Sequence, residues 1–202
     1  MNSIPLVFCN HVMANLNAGD SKYGIMSVFL TGTWKIAAQS YWRQIQEIHV
    51  RVFHVDGAWG YCIITDYIEK PFYARVLDDL LRMDRRFLRC TSISVGLVRS
   101  PRYKSIQCSK EELFGRVIPF FIQQSTPNTY LDITYIEYHP LGDVQEFLDY
   151  FQSYNGFRLR RLELSYFGQE SDDFLAAWLK RDCSLLKLKL DESWPESKRV
   201  EL

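Results

Sequence analysis

The sequence carries no surplus of charge of either sign. Its 24 Lys and Arg residues equal its 24 Asp and Glu residues, so the formal net charge at pH 7 is zero. A protein that binds nucleic acid has to neutralise phosphates and normally carries a basic surplus. An anionic membrane surface selects basic segments for the same reason. The balance argues against nucleic acid and against membranes as the main partners.

Cysteine is scarce, and its spacing suggests no pairing. The chain has five cysteines, an odd number, with no C-x-x-C pair and no Asn-x-Ser/Thr sequon. This pattern argues against a disulfide framework and against a zinc site. The amino terminus lacks the basic region and long apolar run of a signal peptide. The longest strongly apolar stretch, Val117 to Ile122, is too short to cross a bilayer. We therefore expect a cytoplasmic or nuclear protein.

Glycine and proline are also few, with 10 and 7 residues, whereas aromatic residues make up 15% of the chain. Because glycine and proline interrupt regular structure, their low number favours regular helices and strands joined by short loops. Apolar residues at 47% and charged residues at 24% are ordinary for a globular protein. A chain of 202 residues can form one sizeable domain, or a small module joined to a larger one.

The first 46 residues predict a unit of three short helices. The first helix is predicted over 4–16, where Pro5 suits the opening turn. One apolar face is formed by the spacing of Leu6, Cys9, Val12, Met13 and Leu16. A second helix is predicted from Gly24 to Leu30 and a third over 34–46. This unit, residues 1–46, differs in pattern from everything that follows.

Residues 47–192 alternate between strand and helix patterns. Strands are predicted at 48–54, 61–65, 92–97, 131–136, 159–164 and 186–190. Helices are predicted at 72–83, 109–123, 143–155 and 172–180. Pro119 should kink or interrupt the second of these helices. Successive βα units favour a mainly parallel sheet. The last residues, 193–202, are predicted to be a polar, frayed tail.

The second half of the chain repeats a strand followed by a helix. Leu131–Ile136 resembles Leu162–Phe167, and Leu188–Leu190 follows, at offsets of 31 and 26 residues. A leucine-rich repeat has a comparable period of about 20–29 residues. Its units must stack, because one unit cannot bury its own apolar face. We therefore predict an α/β fold in which a short helical unit precedes stacked, leucine-rich-repeat-like βα units. An ordinary layered α/β domain is the alternative.

No residue pattern predicts catalysis or metal binding. The sequence has no Gly-rich phosphate loop, no H-E-x-x-H and no G-x-S-x-G. His49 and His54 should point to opposite faces of one strand, so they cannot easily share a metal. Asp78 and Asp79 are adjacent on a predicted helix, where side chains diverge by about 100°. We therefore expect a protein without enzymatic activity, cofactor or metal.

The opening residues resemble a divergent F-box. Ile4-Pro5 begins the first predicted helix, and the third contains Trp34, two small residues and then Trp42. In the F-box family a Leu-Pro pair opens the first helix, and a tryptophan in the last helix is followed by small residues and often a second tryptophan. Leu6 and Val7 stand where the family usually has acidic residues.

The resemblance implies a partner and a binding surface. F-boxes dock on the Skp-type adaptor of SCF ubiquitin ligases, and leucine-rich repeats behind them often hold substrates. The implied adaptor-binding residues are Pro5, Leu6, Phe8, Val12, Trp34 and Trp42. The whole chain is also similar to a nematode-expanded group, whose members open like Ser3–Cys9 and close like Leu188–Pro195.

Three functional hypotheses follow. The leading one is a substrate-recruiting adaptor, in which residues 4–45 dock the Skp-type adaptor and the repeat surface holds an unknown protein target. The alternative is an interaction scaffold, in which the helical unit only caps the repeats. The third is an enzyme of unrecognised type, which a deep pocket with converging polar groups and perturbed pKa values would support. The exposure of the apolar side chains in the helical unit distinguishes the adaptor from the scaffold. A unit that docks a partner leaves an apolar patch on the surface, whereas a unit that caps the repeats buries it.

Overall fold

The computed structural model describes most of the chain. The described residues are 4–16, 20–66, 73–74, 76–96, 105–135, 141–154, 161–180 and 187–200. Within them the fold is α/β: a helical unit comes first, and a mainly parallel sheet with intervening helices follows. The predicted fold class and the predicted order of the two parts are therefore confirmed.

The N-terminal unit consists of α1 (Leu6–Asn15), α2 (Asp20–Phe29) and α3 (Gly32–Gln44). Helix α3 packs against both other helices. Their common core contains Cys9, Met13, Tyr23, Ala37, Ala38, Tyr41 and Ile45. Helix α2 begins four residues before its predicted start at Gly24. This glycine lies inside the helix, where the indole of Trp42 packs over it.

Eight strands form one sheet within the described residues. They are β1 (Gln46–Val55), β2 (Ala58–Asp66), β3 (Tyr73–Ala74), β4 (Leu88–Gly96), β5 (Ile106–Cys108), β6 (Ser125–Tyr135), β7 (Arg161–Leu164) and β8 (Lys187–Leu190). Strands β1, β4, β6, β7 and β8 are parallel neighbours in that order. Strand β2 pairs antiparallel with β1, β3 and β5. The sheet therefore grows from β1 to β8 in the order of the chain.

The first hairpin is closed by a two-residue turn. Asp56 and Gly57 have positive φ angles of 51° and 77°, and Val55 pairs with Ala58 on either side of them. Two successive positive φ angles are typical of the type I′ turn, whose twist matches that of the flanking strands. Asp-Gly is among the residue pairs that this turn prefers. This stretch, between two predicted strands, is therefore a hairpin turn.

Helices lie between the strands and after the last one. They are α4 (Leu77–Leu81), a 3₁₀ turn (Arg85–Phe87), α5 (Lys110–Glu112), a π-helical segment (Leu113–Val117), α6 (Ile118–Gln123), α7 (Leu141–Ser153), α8 (Gln169–Lys180) and α9 (Glu196–Val200). The Ser109 hydroxyl accepts the Glu112 N–H at 3.1 Å, as expected for an N-cap. Pro119 interrupts the regular helix as predicted. It lacks an N–H, and the π-helical segment directly precedes it.

Two predicted elements differ from the structure. The helix predicted over 72–83 is reduced to Leu77–Leu81, because Tyr73 and Ala74 instead pair with the edge of β2. Strand hydrogen bonds made by tertiary contact override the helical spacing there. Strand β6 begins at Ser125, six residues before its prediction. Its first half is polar and is held by Thr129, whose hydroxyl donates to the Cys90 carbonyl.

The prediction of a frayed tail over 193–202 is wrong for the residues that the structure describes there, 193–200. Trp194 is only 2% exposed, and its indole N–H donates to the Leu164 carbonyl at 2.7 Å. Lys198 of α9 contacts the Asp172 carboxylate and the Tyr166 hydroxyl. One large apolar side chain anchors a segment that is otherwise polar, so mean polarity did not reveal the packing.

The sheet has one apolar face and one polar face. An apolar row crosses six strands in register: Ile63, Val50, Ile93, Leu131, Leu162 and Leu188. Buried side chains of α6, α7 and α8 join it in the main core. The neighbouring row, which lies on the other face because strand side chains alternate, contains Arg51, Ser94, Asp132, Glu163 and Lys189. We call this second side the polar face.

Candidate functional site

The N-terminal helical unit leaves much of its apolar surface in contact with solvent. Ten large apolar side chains are exposed among the described residues, and nine of them lie between residues 4 and 36. Val7, Val28 and Phe29 are 73%, 72% and 80% exposed. Burying such a side chain is worth about 1.5–3 kcal/mol. This concentration of exposed apolar side chains makes the helical unit the candidate interaction surface.

Most of these side chains lie at one end of the helical unit. Phe8, near the start of α1, packs edge-on against Trp34 in the first turn of α3, with ring centroids 6.1 Å apart. Helix α2 ends only two residues before α3 begins, so its C-terminal turn lies at the same end. We define the helix-end patch as the exposed side chains at these three helix ends: Ile4, Leu6, Val7, Phe8, Val28, Phe29 and Ile36.

The sequence of α1 explains why its outer side is apolar. The helix contains no Asp, Glu, Lys or Arg, and it offers Cys9 and Met13 to the core of the unit. A helix on a solvent-facing surface normally carries charges on its outer side. A helix without them exposes apolar residues on whatever side its neighbours leave open. Here the open side carries Leu6, Val7 and Phe8.

The six residues implied by the F-box resemblance fall into two groups. Pro5 is exposed and precedes α1, and its carbonyl accepts the amide protons of Phe8 at 3.0 Å and Cys9 at 3.2 Å. Leu6 and Phe8 are 42% and 55% exposed. Trp34 is half-buried beside Phe8. These four residues belong to or border the helix-end patch.

Val12 and Trp42 lie outside the patch. Val12 is half-buried in the second turn of α1. Trp42 follows Trp34 by eight residues, about 12 Å along the helix axis. Its indole packs on Gly24 of α2, within the helical unit. We therefore assign Trp42 to packing inside the unit and keep Pro5, Leu6, Phe8 and Trp34 in the candidate site.

Sequence reasoning missed the contribution of α2. Ile25, Val28 and Phe29 are spaced by three and one residues, and all three are more than half exposed. The spacing itself was visible in the sequence. An apolar stripe at helical spacing predicts burial in the protein's own core as readily as contact with a partner, so only the packing of α2 against α3 reveals which side remains open.

The surroundings of the patch are weakly basic. From Gly24 to Gln46 the chain contains Lys35 and Arg43, both exposed, and no Asp or Glu. Complementary charges at the rim of an interface steer the encounter and fix its orientation. The patch therefore suits a partner surface that is apolar in the centre and acidic at its edge.

A second feature is the polar face near β6, β7 and β8. Asp132 lies beside Glu163 in register, and Lys189 donates to Glu163 at 3.2 Å. Burial and the neighbouring Glu163 raise the pKa of Asp132, although the Thr134 hydroxyl, which donates to it at 2.5 Å, opposes the shift. A cavity of about 670 Å³ opens here. Its charged walls suit a polar ligand or a peptide.

The cysteines with raised pKa values are not suited to nucleophilic catalysis. Burial raises the pKa of Cys62 to about 11 and that of Cys90 to about 12. The pKa of Cys108 is raised to about 11 by burial and by nearby Glu112. These thiols stay protonated at neutral pH and are poor nucleophiles. Among the described residues, no group of three or more His, Cys, Asp or Glu side chains could hold a metal ion.

Another cavity, of about 610 Å³, lies where the helical unit meets the sheet domain. Its walls include Asn10, Tyr41, Arg43, Gln46 and Phe87. Burial raises the pKa of Tyr41, which keeps its hydroxyl protonated. The rings of Tyr41 and Phe87 are 5.0 Å apart and join the two parts of the molecule. The cavity therefore lies at a packing junction, and the Asp84 and Arg86 side chains in its wall pair with each other at 2.6 Å.

Comparison with known proteins found no matching family model, no matching curated protein and no matching solved structure. In the part of the chain that the structure describes, no helix combines the length and the apolar character that a membrane span requires.

Proposed function

We propose that this chain is a protein-interaction adaptor, which binds a Skp-type adaptor through the helix-end patch and presents its sheet domain to a protein target. The observation that carries the proposal is the concentration of exposed apolar side chains on the N-terminal helices. The resemblance of Ile4-Pro5 and of the Trp34 segment to an F-box supplies the identity of the partner.

The exposure supports docking over capping. A helical unit that served only to cap the sheet would turn its apolar side chains toward the strands. Here Tyr41 and Ile45 face inward with the common core, whereas Val7 and Phe29 are among the most exposed apolar side chains described. Aromatic side chains at the centre of an interface contribute a large share of binding free energy. Phe8 and Phe29 are the strongest candidates for that role.

The sheet domain supports the second half of the proposal. Its parallel strands follow one another in chain order, and its polar face carries charged side chains of both signs beside Ser94. Stacked units with leucine-rich-repeat-like logic use an extended surface of this kind to bind proteins. The charged row from Arg51 to Lys189 offers specific polar contacts to a target.

The test is a calorimetric titration of the full chain with a purified Skp-type adaptor. Val7→Asp and Phe29→Asp each place a charge in the middle of the helix-end patch. Because both side chains are mostly exposed, neither change should affect folding. We expect each to weaken binding by at least about tenfold, since a buried unpaired charge opposes association.

Leu179→Asp is the matched control, because Leu179 is the exposed large apolar side chain described outside the helical unit, at 48% exposure. It should bind as tightly as the unchanged chain. Absence of binding by the folded full chain would overturn the adaptor proposal, and so would equal weakening by all three variants.

A second candidate is an interaction scaffold that uses the polar face without any Skp-type adaptor. The observation in its favour is the cavity bordered by Asp132, Glu163 and Lys189, which lies far along the sheet from the helical unit. The same titration separates the two functions: a scaffold binds no Skp-type adaptor, and Val7→Asp leaves its other interactions unchanged.

A further inference from the structure

The apolar rows of the sheet end on β8 in side chains that are only half-buried. Leu131 and Leu162 are completely buried, whereas Leu188, which continues their row on β8, is half-buried. The next row repeats the pattern, since Leu164 is completely buried and Leu190 is half-buried. The apolar side of β8 therefore has the uncovered surface that one more strand would bury.

The outer edge of β8 is open to such a strand. Among the described strands, β8 pairs with β7 alone. After β8 the chain turns at Asp191, and Trp194 reaches back to the Leu164 carbonyl on β7. Lys198 then contacts Asp172 at the start of α8. This path crosses the carboxyl ends of β8 and β7, so the described residues that follow β8 do not pair with its outer edge.

The polar side of the same edge is basic. The Lys189 ammonium group forms an ion pair with the Glu163 carboxylate on β7 at 3.2 Å. A lysine on β8 can therefore pair with a carboxylate on a neighbouring strand. Lys187 is exposed and lies in register with Arg161, which is also basic. Lys187 makes no ion pair with another described residue. A carboxylate on a strand added beyond β8 would lie in reach of Lys187.

We propose that β8 binds an extended segment of a partner protein as an additional strand. The segment carries aliphatic side chains next to Leu188 and Leu190 and acidic side chains next to Lys187 and Lys189. Main-chain hydrogen bonds to the open edge supply affinity, and the alternating side chains supply specificity. The inference rests on the proposed function only in assigning this segment to the protein target.

The charge pattern selects this partner over a second copy of the chain. Both side chains that β8 places on the polar face are lysines. Pairing β8 with the β8 of a second copy, in either direction, therefore places lysine beside lysine. Like charges on directly opposite residues destabilise a strand pair. Lysines on an edge also prevent indiscriminate strand pairing. An acidic segment relieves the repulsion, whereas a basic or uncharged one does not.

The experiment uses the full chain and a fluorescently labelled synthetic peptide, Ser-Glu-Leu-Glu-Leu-Glu-Ser. Binding is followed by fluorescence anisotropy, and the site is mapped by the amide NMR signals of the isotope-labelled protein. We expect saturable binding with the largest amide shifts in residues 187–190. Replacing the central Glu of the peptide by Pro should abolish binding, because proline cannot complete the ladder.

Charge reversal tests specificity. Lys187→Glu should weaken binding of the acidic peptide by about tenfold and should strengthen binding of the matched Ser-Lys-Leu-Lys-Leu-Lys-Ser peptide. The control is Lys180→Glu, which makes the same exposed charge change at the end of α8. It should alter neither affinity. Lys187 has no described ion-pair partner, so its replacement should leave the fold intact, as circular dichroism will verify.

Three outcomes would overturn the inference: no binding of the acidic peptide, equal binding of the acidic and basic peptides, or amide shifts at Asp132, Thr134 and Glu163 without shifts in residues 187–190. Concentration-dependent self-association lost in Lys187→Glu would identify a second copy as the occupant and would also overturn it. Val7→Asp separates this test from that of the proposed function. It should abolish Skp-type adaptor binding and leave peptide binding unchanged, so either proposal can fail alone.

Discussion

The helical unit and the sheet domain treat apolar residues in opposite ways. In the sheet domain, Phe147, Phe151, Phe174 and Trp178 are at most 1% exposed. In the helical unit, Phe8 and Phe29 are more than half exposed. The sheet offers a broad surface on which several helices can bury a whole side, whereas three short helices enclose only a narrow core. The difference leaves much of the apolar surface of the helical unit in contact with solvent.

The two regions also differ in charge. Helix α1 carries no charged residue, whereas the polar face of the sheet carries a row with charges of both signs, from Arg51 through Asp132 and Glu163 to Lys189. Apolar contacts supply most of the free energy of an interface, and charged contacts supply orientation and selectivity. The proposed adaptor would use the apolar surface of the helical unit for docking and the charged surface of the sheet for selecting a target.

The largest expected effect lies in the core of the sheet domain. Phe147→Ala removes a completely buried ring that contacts Trp59 and Phe114 at centroid distances of 5.5 and 5.3 Å. We expect the free energy of unfolding to fall by about 3–5 kcal/mol, as measured by urea denaturation. A loss below about 1 kcal/mol would show that the sheet domain is no better packed than the helical unit.

A smaller effect is expected where the tail packs onto the sheet. Trp194→Phe keeps an aromatic ring but removes the N–H that donates to the Leu164 carbonyl. A buried acceptor left without its donor costs about 1–3 kcal/mol. Urea denaturation should show a loss in that range, and amide exchange of α9 should quicken. Unchanged stability would mean that the tail contributes little to the sheet domain.

A still smaller effect on stability is expected in the helix-end patch. Phe29→Ser removes an 80% exposed ring, so the free energy of unfolding should change by less than about 0.5 kcal/mol. Sedimentation velocity at high concentration should show reduced self-association, because an exposed apolar patch promotes it. A loss comparable to that of Phe147→Ala would contradict the contrast between the two regions.

The last prediction concerns pH. Burial raises the pKa of Asp132 above its ordinary value of 3.8 in the folded state. The folded state then binds the proton more tightly than the unfolded state, so this carboxyl lowers stability as pH rises from about 3.8 through the raised pKa. Asp132→Asn should remove that decline and modestly stabilise the protein at pH 7, with little effect at pH 3. Urea denaturation at pH 7 and at pH 3 measures the change in the free energy of unfolding. Equal changes at the two pH values would contradict a raised pKa for Asp132.

Most elements of the fold followed from local pattern. The helices at the start and the strands containing Leu131 and Leu162 have the spacing that their structure requires. Element boundaries were less accurate where tertiary hydrogen bonds compete with local preference, as at Tyr73 and Ala74 on the edge of β2. The polar start of β6 was missed because it is held to β4 by backbone pairing at Cys90 and by the Thr129 hydroxyl, neither of which an apolar alternation reveals.

The candidate sites depended more on the structure. Pro5, Leu6, Phe8 and Trp34 were named from the F-box resemblance. The contribution of Val28 and Phe29 came only from their exposure. The edge of β8 was also hidden, because Leu188 and Leu190 have the same local pattern as buried leucines elsewhere. An L-x-L strand at the end of a sheet and one in its middle look alike in sequence.

The sequence by itself determined the class of the protein: an α/β chain with a helical start, balanced charge and no motif for catalysis or metal binding. Spacing and composition are local properties, so they suffice for these conclusions. The tertiary structure alone decided which apolar side chains remain uncovered and which strand forms the edge of the sheet. Exposure depends on what every other segment covers, and no local pattern contains that information.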